Sequence, residues 1–259
     1  MRSILVHADA SPAGQIRRES GLSLARAMGG HCTLLVDTPI TRYIAVDAMG
    51  GGAVAAEAIR EAMAEDDAFA REIDAQCARG DIPCTVLRAE TETVEALADA
   101  ARLADVTVVS RRTALASDLP VAIRGPVLAV NDDQPLRFPL SKVAVAWDGS
   151  AEAAYALRCA IPLLKGAEVI VLTVEDAPTE FPGTGALSYL SRHGVAAELQ
   201  MLERMGAVEE TLARELGLLE AGLLVMGAFS HSRLREFLFG GVTRYFLEYP
   251  GGPALFLAH

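Results

Sequence analysis

Short apolar runs alternate with longer stretches of helical periodicity along the whole chain. Ile4-Leu-Val6, Cys32–Val36, Val106–Val109 and Val127–Val130 are nearly uninterrupted apolar runs. They are too short for helices and read as strands buried on both faces. Between them, Ala- and Leu-rich stretches recur at helical spacing, and Thr93–Leu103 is one. Thr85–Leu87 reads as a weaker third strand, preceded by a long Ala/Glu/Asp-rich helix from about Ala53 to Arg79. Strands alternating with helices predict a parallel sheet covered on both sides, with right-handed crossovers.

The pattern occurs twice. Ser3–Asp37 and Lys142–Asp176 both run strand, Asp-small-Ser, Ala/Leu-rich helix, strand: Ile4-Leu-Val-His-Ala-Asp9-Ala-Ser11 matches Val143-Ala-Val-Ala-Trp-Asp148-Gly-Ser150. Ala196–Leu202, Val208–Leu218, Leu223–Met226 and Ala254–Leu257 then repeat the third strand, a helix and the last two strands. Asn131–Ser141, with two prolines and several polar residues, is the natural linker. The expected units are residues 1–133 and 140–259. The halves differ most after strand two, where Gly50–Gly80 faces the much shorter Gly183–Gly194.

Composition narrows the function. Of 259 residues, 51% are apolar, enough for two packed cores, and the net charge is −11, which argues against nucleic acid or an anionic membrane as partner. Cys32, Cys77, Cys84 and Cys159 form no Cys-x-x-Cys pair and read as reduced core thiols. No stretch approaches the ~18 charge-free residues of a membrane span, and the first apolar run is too short for a signal segment. A cytoplasmic protein is expected.

The segment that carries chemistry is Met226-Gly-Ala-Phe-Ser-His-Ser-Arg-Leu-Arg-Glu-Phe-Leu-Phe-Gly-Gly-Val-Thr243. Gly227 ends an apolar strand, Ser230 follows three positions later, and Gly240-Gly241 precede a helical stretch. Ligands of open α/β sheets sit beyond the C-terminal ends of strands. Free amides and the positive dipole at a helix start favour phosphate.

This loop, with an Asp just after the first strand, resembles the universal stress protein family, whose Gly-x2-Gly-x9-Gly-Ser/Thr loop follows strand four. The resemblance extends over nearly the whole chain as a tandem. It implies two Rossmann-like, adenine nucleotide α-hydrolase-like domains, each a five-stranded parallel sheet in the order 3-2-1-4-5, paired through their fifth strands, with a homodimer as a further possibility. It implies ATP as ligand, with Mg²⁺ as companion ion. Asp148 and the strand ends at Ala146 and Val174 would hold the adenosine. Met226, Gly227, Ser230, Gly240, Gly241, Val242 and Thr243 would form the phosphate loop. Ser230 departs from the family's second glycine, at a cost of order 1 kcal/mol if that position needs positive φ. Gly241 departs from its Ser or Thr, a loss that Thr243 makes good if it turns inward.

The first half keeps Asp9 but has no glycine between Gly80 and Gly125, so the phosphate cradle is missing there. Ser110, Arg111 and Arg112 could hold a small anion, but a solvated basic loop is the expectation. His7 is expected to be a hydrogen-bonded structural residue. Gly183-Thr-Gly185 reads as a plain helix entry, and Gly50-Gly51-Gly52 as a flexible lead-in. His231, Arg233, Arg235 and Arg244 flank the phosphate loop as screening charges or as solvated residues. His31, His193 and His259 complete no metal spacing, and no metal site is expected. No catalytic set stands out, so the expected role is ATP sensing in a stress response with at most slow hydrolysis. The rivals are a nucleotide-free scaffold module and an α-hydrolase-type enzyme releasing AMP and pyrophosphate.

Overall fold

The computed structural model describes residues 1–39, 52–175, 181–228 and 241–259, with side chains of the long helix described from residue 56. The first half runs β1 (Ser3–His7), α1 (Pro12–Met28), β2 (His31–Asp37), α2 (Gly52–Cys77), β3 (Cys84–Ala89), α3 (Thr93–Ala100), β4 (Val106–Ser110), α4 (Ala114–Ala122) and β5 (Val127–Val130). The second runs β6 (Lys142–Ala146), α5 (Ala151–Leu164), β7 (Glu168–Glu175), α6 (Gly183–Arg192), β8 (Ala197–Glu203), α7 (Val208–Leu219), β9 (Leu223–Gly227), α8 (Gly241–Glu248) and β10 (Ala254–Ala258).

All ten strands form one sheet, in the order β3-β2-β1-β4-β5-β10-β9-β6-β7-β8. Each half therefore has the order 3-2-1-4-5 read from the sequence, and its strands are parallel. At the centre β5 meets β10 antiparallel, with Leu128 opposite Phe256. This seam removes the open edge that each fifth strand would otherwise expose.

Strand alternation divides the core between two faces. On one face Ile4, Val6, Val143 and Val145 pack under Leu24 of α1 and Leu157 of α5; on the other, Leu5 and Ala144 pack with Leu97, Leu119, Leu212 and Phe246 of α3, α4, α7 and α8. Ser11 and Ser150 start the first helix of each half, their hydroxyls accepting from the amides of Gly14 at 3.0 Å and Ala153 at 3.1 Å. Gly29 closes α1 at φ 56°, a left-handed conformation suited to glycine. The expected Thr93–Leu103 helix is shorter: α3 stops at Ala100 and a 3-10 turn, Ala101–Leu103, leads into β4.

Candidate functional site

The second-half candidates gather where β6, β7 and β9 end. Ala146 ends β6, and Asp148 follows two residues later, exposed, with one carboxylate oxygen accepting from the Ser150 amide at 3.0 Å. Among the described residues no cation lies within ion-pair distance of Asp148. Val174 lies at the end of β7, half-buried. Met226 is buried, and Gly227 is pressed against the start of α5: a Cβ there would stand 2.6 Å from the Ala153 nitrogen. Gly241 begins α8, exposed, with open space around its Cα; Val242 is half-buried, and Thr243 is buried and turned inward. Ser230 and Gly240 lie outside the described residues, as do His231, Arg233 and Arg235.

The first half shows what the same positions become when filled. The registers pair Ser3 with His31 and Lys142 with Glu168, so His7 corresponds to Ala146 and Asp37 to Val174. The helix caps Ser11 and Ser150 make Asp9 equivalent to Asp148 and Arg17 to Ala156. His7 Nε2 lies 2.8 Å from Asp37 Oδ1, and the Thr93 hydroxyl donates to the other Asp37 oxygen at 2.5 Å. Buried Arg17 donates to the carbonyl of His7 at 2.9 Å, to the Ser110 hydroxyl at 2.5 Å, and to the Asp9 carboxylate. Burial pushes Asp37 up, but the bonds from His7 and Thr93 outweigh it and hold its carboxyl below the ordinary value. Burial also opposes ionisation of Asp9, and the Ser11 hydroxyl and Arg17 reverse it in the same way. A guanidinium and an imidazole thus close the strand ends in this half. In the other half the equivalent side chains are Ala156, Ala146, Val174 and Gly227.

Residues 139–250 match the model of the universal stress protein family. Residues 139–250 are a universal stress protein domain. The fold of the entire chain is similar to that of a universal stress protein from Archaeoglobus fulgidus, at 17% identity and a TM-score of 0.65, covering 98% of this chain and 97% of that one. It is also similar to a functionally unknown protein from Pseudomonas aeruginosa, at 15% identity and a TM-score of 0.62, covering 100% of this chain and 92% of that one. No curated protein matches the chain.

Other expectations meet mixed outcomes around this universal stress protein domain. His7 is a hydrogen-bonded residue, as expected. Gly183 starts α6 and packs on Leu199, where a Cβ would come 2.6 Å from a methyl, so the glycine serves packing. All four cysteines are free; burial and contact with Cys84 push the Cys77 thiol up to about 12. Among the described residues no His, Cys, Asp or Glu cluster could hold a metal ion, and no helix is long and apolar enough to cross a membrane.

The solvated basic loop at Ser110–Arg112 is corrected. Ser110 is buried and taken by Arg17, and Arg111 is 2% exposed, reaching across the seam to the Pro253 carbonyl at 3.0 Å and the Tyr249 carbonyl at 2.8 Å. The second half supplies the cover that a single half would lack. Arg112 alone is exposed. The reading from sequence missed Arg17 and Asp37. An arginine six positions after the cap of the first helix, with an Asp ending the second strand, was the available signal.

Proposed function

We propose that the chain is an ATP-binding sensor of a stress response, with one nucleotide site in residues 140–259 and a degenerate copy of that domain, lacking the phosphate loop, in residues 1–133. One observation carries this reading. The positions that His7, Asp37 and Arg17 fill in the first half are Ala146, Val174 and Ala156 in the second. Asp148 also keeps its carboxylate clear of any described cation, where Asp9 is held by Arg17.

In this reading Asp148 accepts from the ribose hydroxyls, and the backbone at Ala146 and Val174 borders the adenine. The family resemblance assigns Gly227, Ser230, Gly240, Gly241 and Val242 to the phosphates, and the start of α8 at Gly241 is where the helix dipole favours negative charge. Mg²⁺ arrives with the triphosphate. The inward Thr243 stands in for the hydroxyl that Gly241 lacks. Among the described residues no general base accompanies Asp148, and in this reading the role is binding and signalling, in the cytoplasm, with hydrolysis at most slow.

The test is a thermal-shift titration with Mg-ATP, joined to mass spectrometry of small molecules that copurify. Wild type is expected to gain roughly 2–3 kcal/mol at one hundred times Kd. Gly240→Val is expected to lose that gain at an unchanged ligand-free Tm. An equal gain in the variant rejects the site. No gain in wild type and no copurified nucleotide favour a nucleotide-free scaffold instead.

A further inference from the structure

Three of the four cysteines meet at the outer edge of the first half. Cys77 is the last residue of α2 and Cys84 the first of β3, with six residues between them. Cys32, on β2, sits beside Cys84 in register. The turn that joins α2 to β3 is tied at several points. The Gly80 amide donates to the Cys77 carbonyl at 3.0 Å, and the Cys32 amide to the Pro83 carbonyl at 2.9 Å. Arg26 of α1 donates to the Asp81 carboxylate at 2.9 and 2.7 Å. These bonds hold the end of the helix beside the start of the edge strand.

A surface cavity of about 410 Å³ opens there, and Asp74, Cys77, Asp81, Ile82, Pro83 and Cys84 line it. Cys77 and Cys84 are half-buried, whereas Cys32 is fully buried. The Cys84 thiol is in contact with both Cys77 and Cys32. Two sulfurs that touch across a short, fixed turn need little rearrangement to bond. Packing alone does not call for cysteine here. The register places Val169 and Ala197 in the second half where the first has Cys32 and Cys84.

We propose that Cys77 and Cys84 form a redox-active dithiol, a modification site whose co-substrate is a small-molecule disulfide. One protein thiolate attacks the disulfide RSSR and expels RS⁻. The neighbouring thiol, on losing its proton, attacks the mixed disulfide and expels the second RS⁻. Two protein S–H bonds and one S–S bond are exchanged for one protein S–S bond and two RSH, and the two electrons pass to the small molecule. Cys32 takes no part, because its side chain is closed to an oxidant.

The site is slow by construction. Burial, contact with Cys84 and the charge of Asp74 push the Cys77 thiol up to about 12, with Arg18 opposing them. Contact with Cys32 and burial push Cys84 up as well. Both are protonated at neutral pH, and only a thiolate attacks. Brief exposure to an oxidant leaves the pair reduced, and sustained exposure closes it. Closure fastens α2 to the edge strand at a second point, beyond the Arg88–Asp67 ion pair that already joins them. The cysteines lie at the opposite end of the strands from His7 and Asp9, so the site is independent of the nucleotide reading.

The experiment is incubation of the folded full chain with oxidised glutathione at mildly alkaline pH. Free thiols are then blocked, and the chain is digested with trypsin without reductant and weighed by mass spectrometry. Cleavage after Arg71, Arg79 and Arg88 puts Cys77 in the fragment 72–79 and Cys84 in the fragment 80–88. The expected product is these two fragments joined, two hydrogens lighter than their sum, and separate again after reduction. The oxidised chain is expected to melt at least as high as the reduced one, since a bond made in native geometry restricts mainly the unfolded chain. A link from Cys84 to Cys32, glutathione adducts without a joined pair, or no modification at all overturns the proposal. So does a lower Tm on oxidation, which would mean that the sulfurs left their native places to bond.

Discussion

The two halves share one topology and treat the same strand ends in opposite ways. In the first, charged side chains converge and satisfy one another: Arg17 with Asp9, Ser110 and the His7 carbonyl, and His7 with Asp37. In the second, small side chains stand at those positions and Asp148 is exposed. A ligand pocket is a region where a protein declines to complete its own polar contacts. The first half completes its contacts at these strand ends.

The strongest way to break this comparison is Arg17→Ala. It removes the buried guanidinium from Ser110, the His7 carbonyl and half-buried Asp9 and should cost about 2–3 kcal/mol, hydrogen bonds to a charged group being worth about 1.5–3 kcal/mol each before relaxation. Thermal denaturation checks it, and a Tm equal to wild type would show that the guanidinium plugs nothing. Gly227→Ala probes the second half through its backbone. Its Cβ would press on the Ala153 nitrogen, with an expected loss of about 1–3 kcal/mol by chemical denaturation. Ser110→Gly, the exchange in reverse, should cost less because it deletes only one hydroxyl contact.

Ligand titration sharpens the contrast at the acidic pair. Asp148→Ala should weaken ATP by about tenfold, a charge-assisted hydrogen bond being worth about 1.5–3 kcal/mol before losses to solvent. Asp9→Ala should leave ATP binding intact and lower only the Tm. Equal effects on ATP would dissolve the assigned difference.

Acid titration gives a smaller effect. Asp37 is ionised and hydrogen-bonded in the fold, with its pKa held below the ordinary value. Its contribution is present above the unfolded value of about 4 and is lost as pH falls through the folded one. Asp37→Asn should therefore be less stable at neutral pH and show a flatter decline below about pH 4. Identical pH curves would contradict the role given to His7 and Thr93. At the bottom of the scale, Asp81→Asn removes the exposed pair with Arg26 and should leave Tm unchanged within error.

The strands and their repeat were legible in the sequence because short apolar runs and Asp-small-Ser turns mark the same positions twice; the strand order came from the family resemblance. Boundaries were less so. Cys84–Ala89 pairs along its length with β2, yet only Thr85–Leu87 looked like a strand, since an edge strand needs few apolar residues. The second-half candidates came from the family resemblance of the glycine loop and the Asp after the first strand, and Ala146, Asp148, Val174, Met226 and Gly227 lie at strand ends. Arg17 escaped because its role depends on which strand lies under the helix. Arg111 was misread because its cover comes from Tyr249 and Pro253, more than a hundred residues away.

The antiparallel meeting of β5 and β10 has one more result. β5 and β10 run antiparallel while each half is otherwise parallel, so the C-terminal strand ends of the two halves lie on opposite edges of the one sheet. A molecule held at one set of strand ends would leave the other set unobstructed. A duplicated chain built this way carries one set of C-terminal strand ends at each edge of a single continuous sheet.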